Sequence, residues 1–188
     1  TAADCVLISG AGGAVGSIAG QIAKLSGARV VGVVGSAAKA DWICSALGYD
    51  AAVQRSGEAP LADTIREACP NGVDVFFDNV GGHTLEAAIS NMNHRGRMAL
   101  CGAISGYGVT PHGPSNLFDL ITKELSVQGF MTHFRHDRYE EARDQLSHWL
   151  REGIIQSPEH RLDGIETVGR AFAELFAGEN FGKTIVAV

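Results

Sequence analysis

The chain has 188 residues, 45% of them hydrophobic and 19% charged, with a formal net charge of −6. That is enough for one globular domain with a sizeable core. The acidic balance and the lack of any long run of like charge speak against a basic nucleic-acid-binding face. No apolar stretch approaches the roughly 20 residues of a membrane span.

Taken in order, Thr1-Ala2-Ala3-Asp4 carries no basic leader region, so no signal peptide is expected. Val6-Leu7-Ile8 reads as a strand running into the glycine-dense turn Ser9–Gly16, and apolar residues at helical spacing follow until Leu25-Ser26-Gly27. Arg29–Val34 is a β-branched run suited to a strand buried on both faces. A helix is predicted over Lys39–Leu47 with Gly48 as its stop, then a strand at Asp50–Val53 and a helix at Leu61–Ala68. Val73–Phe77 is a fourth strand, Thr84–Met92 a helix and Gly96–Cys101 a fifth strand. A long loop follows, rich in Gly106, Gly108, Pro111, Gly113 and Pro114. A helix at Leu117–Thr122, a strand at Leu125–Phe130 and a long helix at Tyr139–Arg151 come next. The tail adds a helix, Ile165–Phe176, and a strand, Thr184–Val188.

Strands alternating with helices through short loops imply an α/β fold: a doubly wound parallel sheet of Rossmann type. Six main strands are expected, with helices on both faces and a C-terminal helix and strand beyond them.

Four cysteines (Cys5, Cys44, Cys69, Cys101) are widely spaced with no C-x-x-C pair. Three of them read as buried thiols of a reducing compartment, so a cytoplasmic location is expected. His133 and His136 stand three apart without neighbouring cysteine or acidic ligands, and no metal site is expected.

The glycine turn reads Ala11-x-Gly13-x-x-Gly16. Between a strand and a helix, such a turn offers unpaired backbone N–H groups and a partial positive charge to a pyrophosphate. The second strand ends Val34-Gly35-Ser36-Ala37-Ala38-Lys39, without the carboxylate that binds the ribose hydroxyls of NAD. Nothing there repels a 2′-phosphate, and Lys39 offers a cation, so NADP(H) is favoured over NAD. Gly178–Thr184 resembles a P-loop only superficially, since its glycines are one residue too close and it leads from a helix into a strand. The tyrosine-x-x-x-lysine pattern of short-chain dehydrogenases is absent at Tyr49, Tyr107 and Tyr139.

Four ordered motifs, Ser9–Gly16, Phe77–Gly82, Cys101–Tyr107 and Gly178–Lys183, resemble the cofactor-binding part of the zinc-free medium-chain reductases. The subgroup is the one holding prostaglandin reductase, leukotriene B4 dehydrogenase and 2-alkenal (double-bond) reductases. The resemblance implies that Gly13, Ala14, Val15 and Gly16 cradle the pyrophosphate and that Lys39 pairs with the 2′-phosphate. Asn79 would sit at the carboxyl edge of the fourth strand. Cys101, Gly102, Ala103, Ile104 and Ser105, with Phe130, Met131 and Thr132, would pass under the nicotinamide and its ribose. Asn180 would reach back from the tail. Where the family commonly has a tyrosine near the adenosine phosphate, this chain has Arg55, whose guanidinium can bind a phosphate bidentately and stack on adenine.

The resemblance further implies residues 1–188 as one NADP-binding domain, lacking the N-terminal substrate domain of full-length relatives. Its implied activity is NADPH-dependent reduction of the C=C bond of an α,β-unsaturated ketone or aldehyde, with Tyr107 as hydrogen-bond donor to the developing oxyanion. The expected partners are a small-molecule enone or enal and a possible homodimer, with neither nucleic acid nor membrane. Two further readings stay open: a stand-alone NADP-binding or sensing module without catalysis, and a quinone-reductase-type activity.

Overall fold

The computed structural model describes residues 1–107, 110 and 113–188. Gly108 and Pro111, part of the expected Gly- and Pro-rich loop, lie outside the described residues. In chain order the elements are β1 (Cys5–Ser9), α1 (Ala14–Leu25), β2 (Arg29–Val34), α2 (Ala37–Leu47), β3 (Ala51–Gln54), α3 (Leu61–Ala68), β4 (Val73–Asp78), α4 (Gly82–Asn91) and β5 (Met92–Leu100). They continue with α5 (Phe118–Thr122), β6 (Ser126–Gly129), α6 (Tyr139–Arg151), β7 (Glu159–Asp163), α7 (Val168–Ala177) and β8 (Lys183–Ala187).

Strands β1 to β6 form one parallel sheet in the order β3-β2-β1-β4-β5-β6. The period-2 alternation of strand side chains divides the core into two layers. Leu7, Val31, Val33 and Phe76 point to one side, where Ile65 of α3 and Ala88 and Ile89 of α4 meet them. Val6, Ile8, Val30 and Val34 point to the other, with Ile43 and Leu47 of α2 and half-buried Ala19 and Ala23 of α1. Each such fully buried side chain contributes about 1.5–3 kcal/mol of hydrophobic stabilisation.

Close backbone approach accounts for two glycines of this second layer. A Cβ at Gly20 would overlap Cζ and the hydroxyl of Tyr49, and one at Gly32 would overlap Ile43 Cδ1 and lie 2.8 Å from the Ala11 Cβ. Tyr49 is buried and its hydroxyl donates to the Gly16 carbonyl oxygen at 2.7 Å. That bond ties the start of α1 to the chain after α2.

Besides small shifts at the ends of several elements, the structure departs from expectation at four places. Helix α4 begins at Gly82 rather than Thr84, and Met92, expected in that helix, opens β5. The tail contains an additional strand, β7, which pairs in parallel with β8 in a separate two-stranded sheet. Its residues Glu159-His160-Arg161-Leu162-Asp163 bury only Leu162, so no apolar alternation announces it. Finally, two cysteines are buried rather than three: Cys5 and Cys69, while Cys44 and Cys101 are half-buried.

Candidate functional site

The sheet order reverses between β1 and β4, and their connections leave to opposite faces, which opens a crevice at the carboxyl ends of the strands. A cleft of about 790 Å³ occupies that position. Its floor is the Gly10–Gly16 turn. Gly13 is the N-cap of α1, no side chain caps the helix, and no acidic residue stands in its first turn. The Gly13 N–H donates to the Gly10 carbonyl oxygen at 3.0 Å and that of Ala11 to the Val33 carbonyl oxygen. It is therefore the N–H groups of Ala14, Val15 and Gly16, at the start of α1, that keep their partial positive charge for a ligand. A Cβ at Gly16 would lie 2.7 Å from the Ala11 Cα and nearer still to the Gly10 carbonyl oxygen, so only glycine lets the helix start so close to the strand.

One end of the cleft is cationic. The Ser36 hydroxyl caps α2 by accepting from the Lys39 N–H, and Lys39 in that first turn is only 6% exposed. Its stem lies along Gly12. Its Nζ donates to the Gly178 carbonyl oxygen at 2.8 Å and stands 5.6 Å from the centre of the Phe181 ring. Burial lowers its pKa, and the neighbouring Arg55 guanidinium lowers it further. A solvated helix lysine would show none of this. Arg55 and Ser56 line the cleft beside it, and Lys183 lines it from β8. Among the described residues, three cations and a histidine, His83, border the cleft, and no aspartate or glutamate does. In a chain of net charge −6, that segregation marks a site for an anion.

The other end is built on Ser9 and Asp78. The buried Asp78 carboxylate accepts from the Ser9 hydroxyl at 2.6 Å and from the N–H groups of Val80 and Gly81 at 3.0 and 3.1 Å. Asn79 is fixed to the same serine: its N–H donates to Ser9 Oγ at 2.7 Å and its Nδ2 to the Ser9 carbonyl oxygen at 2.8 Å. The segment after β5 is zipped onto this turn. Cys101 and Gly102 donate through their N–H groups to the Asp78 carbonyl oxygen, Ile104 to that of Asn79 and Ser105 to that of Val80.

The tail closes one wall. The Gly182 N–H donates to the Gly12 carbonyl oxygen at 2.9 Å, and Asn180, 4% exposed, donates from Nδ2 to the Gly182 carbonyl oxygen.

Of the expected site residues, Gly13, Ala14, Val15, Gly16, Lys39, Arg55, Asn79, Ile104, Ser105 and Asn180 all line this cleft. Cys101, Gly102 and Ala103 lie at the same strand edge without lining it. Phe130 packs on Phe77, ring centres 6.1 Å apart, and Met131 and Thr132 are exposed beyond it. Tyr107 is 61% exposed and stands two residues past the cleft-lining Ser105. Sequence reasoning missed Ser56, His83, Thr84, Lys183 and Thr184, which also line the cleft. Thr84 and His83 open a helix directly after Gly81-Gly82, and that glycine pair was their one available signal.

A parallel sheet reversing at β1/β4, with an uncapped glycine-led helix in the crevice, defines a dinucleotide-binding domain. Residues 14–148 match the zinc-binding dehydrogenase family, and the chain belongs to that family, the medium-chain dehydrogenase/reductases. It is 44% identical to prostaglandin reductase 1 of Bos taurus over 187 residues, which is 97% of this chain and 56% of that protein. The crystal structure of CurA from Vibrio vulnificus in complex with NADPH superposes with a TM-score of 0.91 at 36% identity, covering 98% of this chain and 57% of CurA. Escherichia coli quinone oxidoreductase complexed with NADPH gives 0.82 at 27% identity, over 98% of this chain and 57% of that one. The chain thus spans little more than half the length of these relatives. Among the described residues no group of three or more His, Cys, Asp or Glu is placed to hold a metal ion, so the family's zinc has no fitting ligand set in them. No helix among them is long and apolar enough to cross a membrane.

Proposed function

We propose that residues 1–188 are the NADPH-binding domain of an oxidoreductase that reduces the C=C bond of an α,β-unsaturated ketone or aldehyde. The observation that carries the cofactor choice is a cleft with Lys39 and Arg55 at its adenosine end and no carboxylate among the described residues that line it. An NAD site places an acid there to accept from the ribose hydroxyls, and a 2′-phosphate is served by cations instead. The likeness to prostaglandin reductase 1 supports the choice of a C=C bond as the reacting group.

In this reading the turn Gly13 to Gly16 cradles the pyrophosphate through the N–H groups of Ala14, Val15 and Gly16, the Gly13 N–H being held by the Gly10 carbonyl oxygen. Lys39 with Arg55 holds the 2′-phosphate. Asn79 and Asn180 orient the middle of the cofactor from opposite walls. Residues Cys101 to Ser105 and Phe130 to Thr132 border the nicotinamide end. When bound, NADPH supplies a hydride to the β-carbon of the substrate. Negative charge then gathers on the carbonyl oxygen, and the Tyr107 hydroxyl donates a hydrogen bond to it. The rest of the substrate pocket comes from a second domain of the whole protein, which acts in the cytoplasm on a small molecule.

A quinone as acceptor is the second reading, favoured by the likeness to Escherichia coli quinone oxidoreductase. Fluorescence titration with NADPH and NADH tests the cofactor, and equal affinities would overturn it. Turnover of the full-length protein with enones, enals and quinones tests the reaction. Tight NADPH binding without turnover on any of them would leave a cofactor-binding module without chemistry.

A further inference from the structure

The N-terminal edge of the sheet, opposite the cofactor cleft, carries a second arrangement that the proposed function does not use. Cys5 is the first residue of β1, and Cys69 follows the last residue of α3. Although 64 positions separate them in sequence, both side chains belong to the same core layer, 6% and 2% exposed. Both also line a cavity of about 110 Å³, together with Asp4, Arg29, Asn71 and Asp74. That volume admits a molecule the size of hydrogen peroxide beside a water, whose share of liquid volume is about 30 Å³.

The surroundings treat the two thiols unequally. The neighbouring Cys69 thiol lowers the pKa of Cys5, with burial and the Asp74 and Asp50 carboxylates opposing and the Arg29 guanidinium assisting. Cys69 is raised by the same interaction and by burial. Arg29 is the register partner of Cys5 on β2 and is held in place by donating to the Ala68 carbonyl oxygen at 3.0 Å. The Cys5 N–H donates to Asp74 Oδ2 at 2.8 Å, fixing the backbone of the nucleophile. A sulfur whose thiolate is favoured, a second sulfur on the wall of the same small cavity and a guanidinium lining it with them are the surroundings of a reactive dithiol rather than of two inert core thiols.

We propose that Cys5 and Cys69 are a redox-active pair, a modification site at which a hydroperoxide forms an intramolecular disulfide across β1 and α3. The Cys5 thiolate attacks one peroxide oxygen, so that an S–O bond forms and the O–O bond breaks. The leaving hydroxide takes up the proton given off by Cys5. The Cys69 sulfur then attacks the Cys5 sulfur, forming the S–S bond and breaking S–O, and the Cys69 proton leaves with hydroxide as water. With hydrogen peroxide the products are one disulfide and two waters, the thiols losing the two electrons that the peroxide gains. The bond closes the chain segment containing the first half of the sheet, so the oxidised form melts at a higher temperature than the reduced one.

The test is differential alkylation of the wild-type chain before and after hydrogen peroxide, read by mass spectrometry. The expected result is a fall in alkylatable thiols from the four free cysteines to two, a mass loss of about 2 Da for the two hydrogens removed, and a cross-linked peptide joining Cys5 to Cys69. Dithiothreitol restores all four. The variant carrying Cys44→Ser and Cys101→Ser keeps the cross-link. In Cys69→Ser, Cys5 stops at a sulfenic acid that dimedone traps. Full alkylation of Cys5 and Cys69 after a dose that oxidises Cys44 or Cys101 overturns the proposal, as does a disulfide joining Cys5 to either of those two. Both outcomes are read on the wild-type chain, independent of how any variant folds.

Discussion

Lys39 Nζ and the carbonyl oxygen of Gly178, 139 positions apart in sequence, are joined by a 2.8 Å hydrogen bond. The bond holds a buried ammonium against the uncapped start of α1 and fastens the tail across the cleft. If that ammonium also meets the 2′-phosphate, removing it costs NADPH a charge-assisted bond that NADH never makes, while the lost Gly178 bond bears on both cofactors alike. Lys39→Met keeps the aliphatic stem that packs along Gly12. NADPH affinity is expected to fall by about 1.5–3 kcal/mol, roughly 10- to 150-fold, with NADH affinity falling far less. Titrating both cofactors decides it, and a parallel loss for the two would indicate disturbed packing instead.

The same lysine gives the binding a pH dependence. Burial first, and then Arg55, lower its pKa in the folded chain. Between that lowered value and the ordinary lysine value of about 10.4 the unfolded chain holds the extra proton, so this group's contribution to stability rises with pH through the window. A 2′-phosphate works in the opposite sense and favours the ammonium. NADPH affinity should therefore decline as pH climbs through the lowered pKa, earlier than a solvent-exposed lysine would dictate. NADH affinity should stay flat over the same range. Lys39→Arg, whose guanidinium does not titrate there, should abolish the decline. Kd measurements across the alkaline range, for wild type and variant, check each part.

How much of this was legible beforehand differs by element. Helix α3 was readable to the residue because Pro60 and Pro70 bracket it, and β2 because the four valines of Arg29–Val34, interrupted only by Gly32, stand between Gly27 and Gly35. Strand β7 was not, since its pairing with β8 is made by backbone groups while its side chains mostly face water. In the site, Gly13–Gly16 and Lys39 were visible because strand ends and helix starts are local features. Thr84, Lys183 and the Lys39–Gly178 bond depend on which strand ends the sheet order brings together. No spacing within a single segment records that.

Asp78 is the stability test of the cleft's other end. Its carboxylate, 1% exposed, accepts from Ser9 and from the Val80 and Gly81 N–H groups. Asparagine in its place turns one acceptor oxygen into a donor facing other donors. Asp78→Asn is expected to lose about 1–3 kcal/mol of stability and to weaken NADPH binding through the displaced Asn79 and Gly81. Ser9→Ala, which removes a single hydroxyl, should lose about 1 kcal/mol. Urea unfolding of the three proteins ranks them, and an Asp78→Asn chain as stable as wild type would show that this network does not hold the turn.

Two glycines should respond in opposite directions to the same substitution. At Gly16 an added Cβ meets backbone of the Gly10–Ala11 turn, which cannot swing aside as a side chain could. Gly16→Ala should destabilise the chain by about 1–3 kcal/mol and loosen the pyrophosphate cradle. At Gly169, near the start of α7, nothing lies within 4 Å of the added atom. Gly169→Ala should stabilise by about 0.4–1 kcal/mol by restricting the unfolded chain. Thermal melts of the two variants, run side by side, separate steric requirement from helix propensity.

Tyr107 lies outside the cleft lining and 61% exposed, an odd place for a core aromatic but a suitable one for a donor that meets substrate beyond the nicotinamide end. Its backbone N–H is anchored to the Ile104 carbonyl oxygen at 3.2 Å, and Ile104 is part of the cleft wall, so the ring's origin is fixed. A donor aimed at charge that exists only as the hydride arrives affects kcat far more than substrate binding. Tyr107→Phe in the full-length protein should therefore lower kcat by about 10²–10³-fold, leaving KM and NADPH affinity near wild type. Steady-state kinetics on an enone substrate supply the measurement. Unchanged kcat would remove Tyr107 from the chemistry and leave the oxyanion donor to be sought in the remainder of the protein.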